Sequence, residues 1–119
     1  MRPWRIRGDD RGTATVAAVA MVAALLAVTS AAVCLGSAVV ARHRAQAAAD
    51  LAALAAATWL PSGAGTACQR AATVVRRMAA ECAGCRVDGL DVVVTVEIPV
   101  VLAGWGAGPA RAVARAGPE

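Results

Sequence analysis

Lysine, asparagine, phenylalanine and tyrosine are absent from this 119-residue chain, and histidine occurs once, at His43. All twelve basic residues are therefore arginine, a skew that reads as the bias of a GC-rich genome rather than a chemical demand. Only Trp4, Trp59 and Trp105 are aromatic. They are too scattered to form the stacking platforms used on single-stranded nucleic acid, so the net charge of +4 reads as ordinary surface charge and no nucleic-acid partner is expected. The lone histidine has no second imidazole or acidic cluster beside it, which argues against a metal ligand and leaves no nucleophile–base–acid set. His43 reads as a solvated or headgroup-facing side chain. No catalytic residue, cofactor, metal or small-molecule substrate is expected.

Charge is also missing from one long stretch. Nothing ionisable by charge type Asp, Glu, Lys or Arg lies between Arg11 and Arg42, and the interior is Val, Ala, Leu and Met. A helix needs about 20 apolar residues to cross a hydrocarbon core, so residues 13–40 suffice with some tilt. Strong helix formers continue through residues 41–60, until Pro61, Ser62 and Gly63 break the pattern. At about 1.5 Å per residue such a helix is roughly 70 Å long, more than twice the hydrocarbon thickness. The expected organisation is a basic cytoplasmic segment over 1–12, a transmembrane helix over 13–40, its extracytoplasmic continuation over 41–60, and a small head over 61–119.

Arg2, Arg5, Arg7 and Arg11 precede the span, whereas only Arg42 and Arg44 follow it closely. That asymmetry places the amino terminus in the cytoplasm and the head outside a cytoplasmic membrane, where disulfides are permitted. A cleaved secretory signal is the alternative, with Ala45-Gln46-Ala47 as a superficial cleavage site, but the apolar run is about twice the usual 7–15 residues. Cys34 follows Val33 deep in the span and reads as a buried apolar cysteine rather than a lipid acceptor. Ala20, Ala24, Ala27 and Ala31, with the pair Ala32 and Gly36, set small groups at helical spacing and form a candidate helix-packing face. With so much alanine, such spacings also arise by chance.

In the head, residues 63–66 read as a linker, with Thr66 capping a second helix that runs to about Ala80. Ala71, Val75, Met78 and Ala79 form its apolar side, away from Arg70, Arg76 and Arg77. A cysteine-containing connector follows. Val92, Val94, Val96 and Ile98 then alternate with Asp91, Val93, Thr95 and Glu97, a half-buried strand limited by Pro99. Residues 104–109 (GWGAGP) read as a turn carrying Trp105, and 110–116 alternate again, alanine against Arg111, Val113 and Arg115. The expected fold is α+β: a long helix, one short helix and an antiparallel β-hairpin.

Cys82-Ala-Gly-Cys85 stands alone, without the second pair that structural zinc needs or the histidine that haem attachment needs. If the second helix ends near Ala80 and the chain runs back extended, Cys85 is carried toward Cys68 at about 3.3 Å per residue. Cys68–Cys85 is the expected disulfide, with Cys82 buried and Cys34 in the span. A Cys82–Cys85 pair is the rival. The isolated Gly104-x-Gly-x-Gly lacks the strand and helix of a nucleotide site.

At RGTATVAAVAM and ARHRAQAAADLAALAAA the chain resembles the TadE/G-like family of Flp (Tad) pilus assembly, and most closely the small TadE-like proteins of actinobacterial secretion and pilus loci. The resemblance extends to CRVDGLDVVVTV and the terminal ARAVARAGP. It implies a minor pilin or pseudopilin whose partners are the membrane and other pilin-like or secretion-apparatus proteins. It also marks Arg11, Gly12 and Thr13 as a processing motif. One departure matters: the family's opening has Arg-Gly, a few small residues and then Glu, and here Ala17 stands in the Glu position. That Glu serves processing and register, so its loss counts against cleavage after Gly12 and against fibre entry. The reading is therefore a non-enzymatic, membrane-anchored, pilin-like component. The runner-up is an anchored extracytoplasmic adaptor or assembly factor that never enters a fibre, and a secreted redox protein is a distant third.

Overall fold

The computed structural model describes residues 5–99 and 108–118. Its elements are helix α1 (Arg5–Trp59), a 3-10 turn (Leu60–Ser62), helix α2 (Ala64–Arg77) and strands β1 (Glu81–Asp88), β2 (Asp91–Ile98) and β3 (Ala110–Ala116). The fold is α+β, and the chain divides into two compact units, Met1–Gly36 and Ser37–Glu119. Trp105 and residues 104–107 of the expected Gly-rich turn lie outside the described residues, as does Arg2 of the basic segment.

In the first unit α1 begins at Arg5, so part of the expected basic segment is already helical. Ala, Leu and Met favour this state, and the polar side chains do not oppose it. Thr15 Oγ1 donates to the Arg11 carbonyl at 2.9 Å and Ser30 Oγ to the Leu26 carbonyl at 2.7 Å, so both hydroxyls are satisfied one turn back.

In the second unit α1 turns one face inward. Ala45, Ala48, Ala49, Ala52, Ala53 and Ala56 are buried in a single cluster with Ala67, Ala71 and Val75 of α2 and Val92, Val94, Val96 and Ile98 of β2. Ala112 and Ala114 of β3 close the same cluster. The spacing of three and four residues along α1 is that of one helix face. Val75, Val92, Val94 and Val96 are the largest fully buried side chains.

The corner between the helices is made by residues suited to it. Pro61 sits at the start of the 3-10 turn, and Gly63 follows at φ 109°, ψ 152°, a conformation open essentially to glycine alone. Arg70 stacks its guanidinium 4.1 Å from the Trp59 ring, tying the two helices together on the surface. Residues 63–66 are thus not a linker: α2 starts at Ala64 with Gly63 at its cap, and Thr66 lies inside it.

The far end of α2 also comes earlier than the expected Ala80. Ala79 has φ 55°, its N–H donates to Arg76 O, and the Ala80 N–H donates to Val75 O, each at 3.1 Å. These bonds form a Schellman cap, with Val75 and Ala80 both buried as its apolar contact. Alanine's helix propensity hid a stop that glycine would have announced.

Beyond this cap the expected connector is a strand. The sheet order is β1-β2-β3, antiparallel throughout, so the head has a third strand in addition to the anticipated hairpin. Asp88 pairs with Asp91 across a two-residue turn whose first residue, Gly89, has φ 67°, the pattern of a type II′ turn. Register shifts between Cys82 and Gly84, leaving Ala83 as a bulge. The bulge reverses the alternation, so Cys82, Cys85 and Val87 all pack against the core.

Ala79→Gly is expected to stabilise the protein by about 1 kcal/mol, because glycine removes the left-handed strain at this cap. Denaturant unfolding of the head would measure it, and an unchanged midpoint would mean that Ala79 is not strained.

Candidate assembly surfaces

Two surfaces carry the features singled out by the sequence. The first is the apolar part of α1. It is long and apolar enough to cross a membrane by length and composition. Val16, Val19, Leu25, Leu26 and Val28 are each more than 60% exposed, and none of the most apolar stretch is buried within the protein. Apolar residues occupy all sides here, in contrast to the one-sided face around Ala45–Ala56.

On this helix Ala20, Ala24, Ala27 and Ala31 fall within one narrow stripe at about 100° per residue. Gly36 does not share that stripe: it joins Ala32 on the other side of the helix, so the expected single packing face is two separate small-residue patches. A Cβ built at Gly36 would meet nothing among the described residues. Arg11, Gly12 and Thr13 lie within continuous α-helix. A peptidase acting after Gly12 needs that turn to open first.

The second surface is the head. Cys68 and Cys85 are joined by a disulfide, with Cα atoms 5.8 Å apart. The early end of α2 allows this: β1 runs back along the helix, and the bulge at Ala83 aims Cys85 inward. Cys82 is a free thiol, half-buried rather than fully buried, with Sγ 3.6 Å from the Gly84 carbonyl oxygen. Cys34 is exposed on α1, where the sequence placed it in the span.

The outer face of the sheet carries ion pairs in the alternation expected of β3. Arg111 donates from Nε to Glu97 Oε1 at 2.8 Å, and Arg115 from Nε to Asp91 Oδ2 at 2.6 Å with Asp88 nearby at 3.6 Å. The hydrogen bond and charge of Asp91 raise the Arg115 pKa further. Each lies in solvent and contributes little stability. Gly117 packs so closely on Asp91 that an added Cβ would collide with its carboxylate. Among the described residues no group of three or more His, Cys, Asp or Glu is placed to hold a metal ion, and no side-chain polar atom is buried without a partner. Leu54 and Leu90 remain exposed and line a groove of about 540 Å³ near the end of α1, and Leu51 is exposed as well.

Residues 12–58 match the family described as "Putative Flp pilus-assembly TadE/G-like". The matched segment includes both the exposed apolar stretch and the buried alanine face of α1. The chain is also similar to a protein of Mycobacterium tuberculosis named apoptosis inhibitor Rv3654c, with 68% identity over 54 residues, 45% of this chain and 64% of that protein. The matched region is therefore less than two thirds of that relative. No solved structure matches the chain.

Non-reducing peptide mapping is expected to yield Cys68 linked to Cys85, with Cys82 alkylatable. Removing the bond by Cys68→Ala with Cys85→Ala should cost about 3 kcal/mol for a closed loop of this separation. Recovery of Cys82–Cys85 peptides alone would contradict the structure.

Proposed function

We propose that this protein is a membrane-anchored, non-enzymatic, pilin-like subunit, of minor-pilin or pseudopilin type, in a Tad/Flp-type pilus or secretion apparatus. One observation carries the reading: a single TadE/G-like helix serves two environments. Its first part exposes apolar side chains on every side, and its later part buries an alanine face as the spine of a small head. The first suits lipid and the second suits an extracytoplasmic domain. The amino terminus then lies in the cytoplasm and the head outside the cytoplasmic membrane. Partners are other pilin-like or secretion-apparatus membrane proteins, approached through Ala20, Ala24, Ala27 and Ala31, where small side chains allow close helix packing. Exposed Leu51, Leu54 and Leu90 offer a further apolar contact on the head.

A second reading has its own support. Ala17 stands where the family carries Glu, and Gly12 is held in helix, so processing and fibre entry are both disfavoured. The protein would then be an anchored extracytoplasmic adaptor or assembly factor.

Reporter fusions fix the topology: a periplasm-active reporter after Glu119 should be active, and activity of a cytoplasmic reporter there would remove the pilin-like reading. For assembly, bulky leucine at Ala24, Ala27 and Ala31 should leave membrane insertion unchanged and reduce cross-linking to pilin-like partners in sheared filaments. Unchanged cross-linking would make the helix a tether and favour the adaptor. Soluble protein outside the cell with a terminus near Ala48 would show that the helix is a cleaved signal.

A further inference from the structure

The two ends of the sheet lie against different parts of α1. At one end the β1–β2 turn and the end of β3 (Gly89, Leu90 and Gly117) line a groove with Leu54, Ala57 and Pro61. At the other, Gly108, Pro109 and Ala110 share a cleft with Ala38 and Arg42. The lengths agree: Arg42 to Ala57 is about 23 Å of helix at 1.5 Å per residue, and Asp91 to Ile98 is about 23 Å of strand at 3.3 Å per residue. The strands therefore run along α1, with the β2–β3 end toward its apolar run. Ala38 and Ala41 are half-buried and continue the helix face of Ala45 and Ala48, so the head begins before Arg42, the first charge after the run. On the sheet, charge stops at about the same level. Glu97 and Arg111 are register partners joined by an ion pair, and the next pair is Ile98 with Ala110. From Ile98 to Ala110 the sequence, IPVVLAGWGAGPA, has no charged side chain. At the opposite end Asp88, Asp91 and Arg115 carry charge up to the turn.

We infer that this end of the head, Pro99 with Gly108, Pro109 and Ala110, rests in the interfacial layer of the bilayer around α1. The partner is the lipid of the leaflet from which the head emerges. The inference rests on the membrane-spanning reading of α1 given above, and it holds for either orientation of the chain. With the uncharged run in hydrocarbon, Ala38 lies at its edge and Arg42 at headgroup depth. The sheet end beside Ala38 is then held at that depth by the packing of the head on α1. Its chemistry suits the layer. Pro99, Gly108 and Pro109 are exposed, and the two prolines have no N–H to leave unpaired where water is scarce. The sequence between them adds valine, leucine and one tryptophan, the aromatic residue favoured at membrane interfaces, and no charge. A connection between strands still has backbone groups that hydrocarbon cannot satisfy, so the contact stops at the interface. Two contacts, α1 and the sheet end, set the tilt of the head, which a helix alone does not.

The test uses the full chain in vesicles of phosphatidylcholine and phosphatidylglycerol, with Cys34→Ala and Cys82→Ala leaving only the disulfide cysteines. One cysteine is added by Gly108→Cys or Pro109→Cys and labelled with an environment-sensitive fluorophore. Leu90→Cys marks the opposite end of the head, and Val28→Cys the middle of the apolar run. All four positions are exposed, and persistence of the Cys68–Cys85 bond reports a folded head. The labels at Gly108→Cys and Pro109→Cys should be quenched by lipid carrying a nitroxide near the headgroup and shielded from aqueous iodide. The label at Leu90→Cys should be open to iodide and untouched by the nitroxide lipid. Equal behaviour of the Pro109→Cys and Leu90→Cys labels overturns the inference. So does shielding of Gly108→Cys and Pro109→Cys from both quenchers, which would mean that a protein covers this end. Val28→Cys separates the two failures. If lipid with a nitroxide deep in its acyl chain leaves that label bright, the membrane reading falls and this contact with it. If it is quenched while the labels at Gly108→Cys and Pro109→Cys stay aqueous, the contact alone falls.

Discussion

Everything in the head depends on how closely a sheet can approach a helix whose contact face is alanine. An alanine methyl contributes about 0.8 kcal/mol on burial, against roughly 1.5–3 kcal/mol for a valine or leucine. The face at Ala45, Ala48, Ala49, Ala52, Ala53 and Ala56 therefore gains little per residue and must gain by fit. Close approach lets Val92, Val94, Val96 and Ile98 lose nearly all their exposure although no aromatic side chain fills the interior. The consequence is a thin core that a bulky residue on α1 would pry open. It also explains the covalent link: a domain this small, with a core of alanine and valine, gains disproportionately from a constraint on its unfolded chain.

The disulfide in turn depends on two local irregularities. Had α2 continued to Cys82, Cys68 and Cys82 would sit on one rod, about 21 Å apart along its axis. The Schellman cap at Ala79 ends the helix, and the bulge at Ala83 rotates the strand so that Cys85, rather than its neighbours, meets Cys68. The same bulge leaves Cys82 on the inner face without a partner sulfur. A regular strand would have sent Cys82 and Cys85 to opposite faces, since side chains alternate with period two.

What could be read from the sequence follows from this. The helix around residues 13–59, the alternation of β2 and β3, and the Cys68–Cys85 link depend on long periodic patterns or on chain geometry, and these survive without tertiary knowledge. The third strand did not show itself because Ala83 and Gly84 interrupt its alternation, although Asp88-Gly89 was a usable turn signal. The early stop of α2 was hidden because Ala79 holds a left-handed conformation that its side chain does not favour. Gly36 was grouped with Ala20 through the look of small residues, whereas helical phase separates them.

The helix itself shows where the chain's own requirements end. At Ala45, Ala48, Ala49, Ala52, Ala53 and Ala56 the small side chain has a reason inside the protein, because it is buried in one cluster with α2 and the sheet. At Ala20, Ala24, Ala27 and Ala31 no such neighbour is found among the described residues, since these positions are exposed. In lipid, apolar burial alone does not draw helices together, so a small side chain gains only if another helix comes close enough for dispersion to act. Leucine at those positions would serve a solitary anchor at least as well, because lipid tails accept it freely. The stripe is therefore better matched to a helix that has neighbours than to one that only tethers, which is why lateral contact, rather than cleavage after Gly12, is the property of this segment on which the pilin-like reading turns.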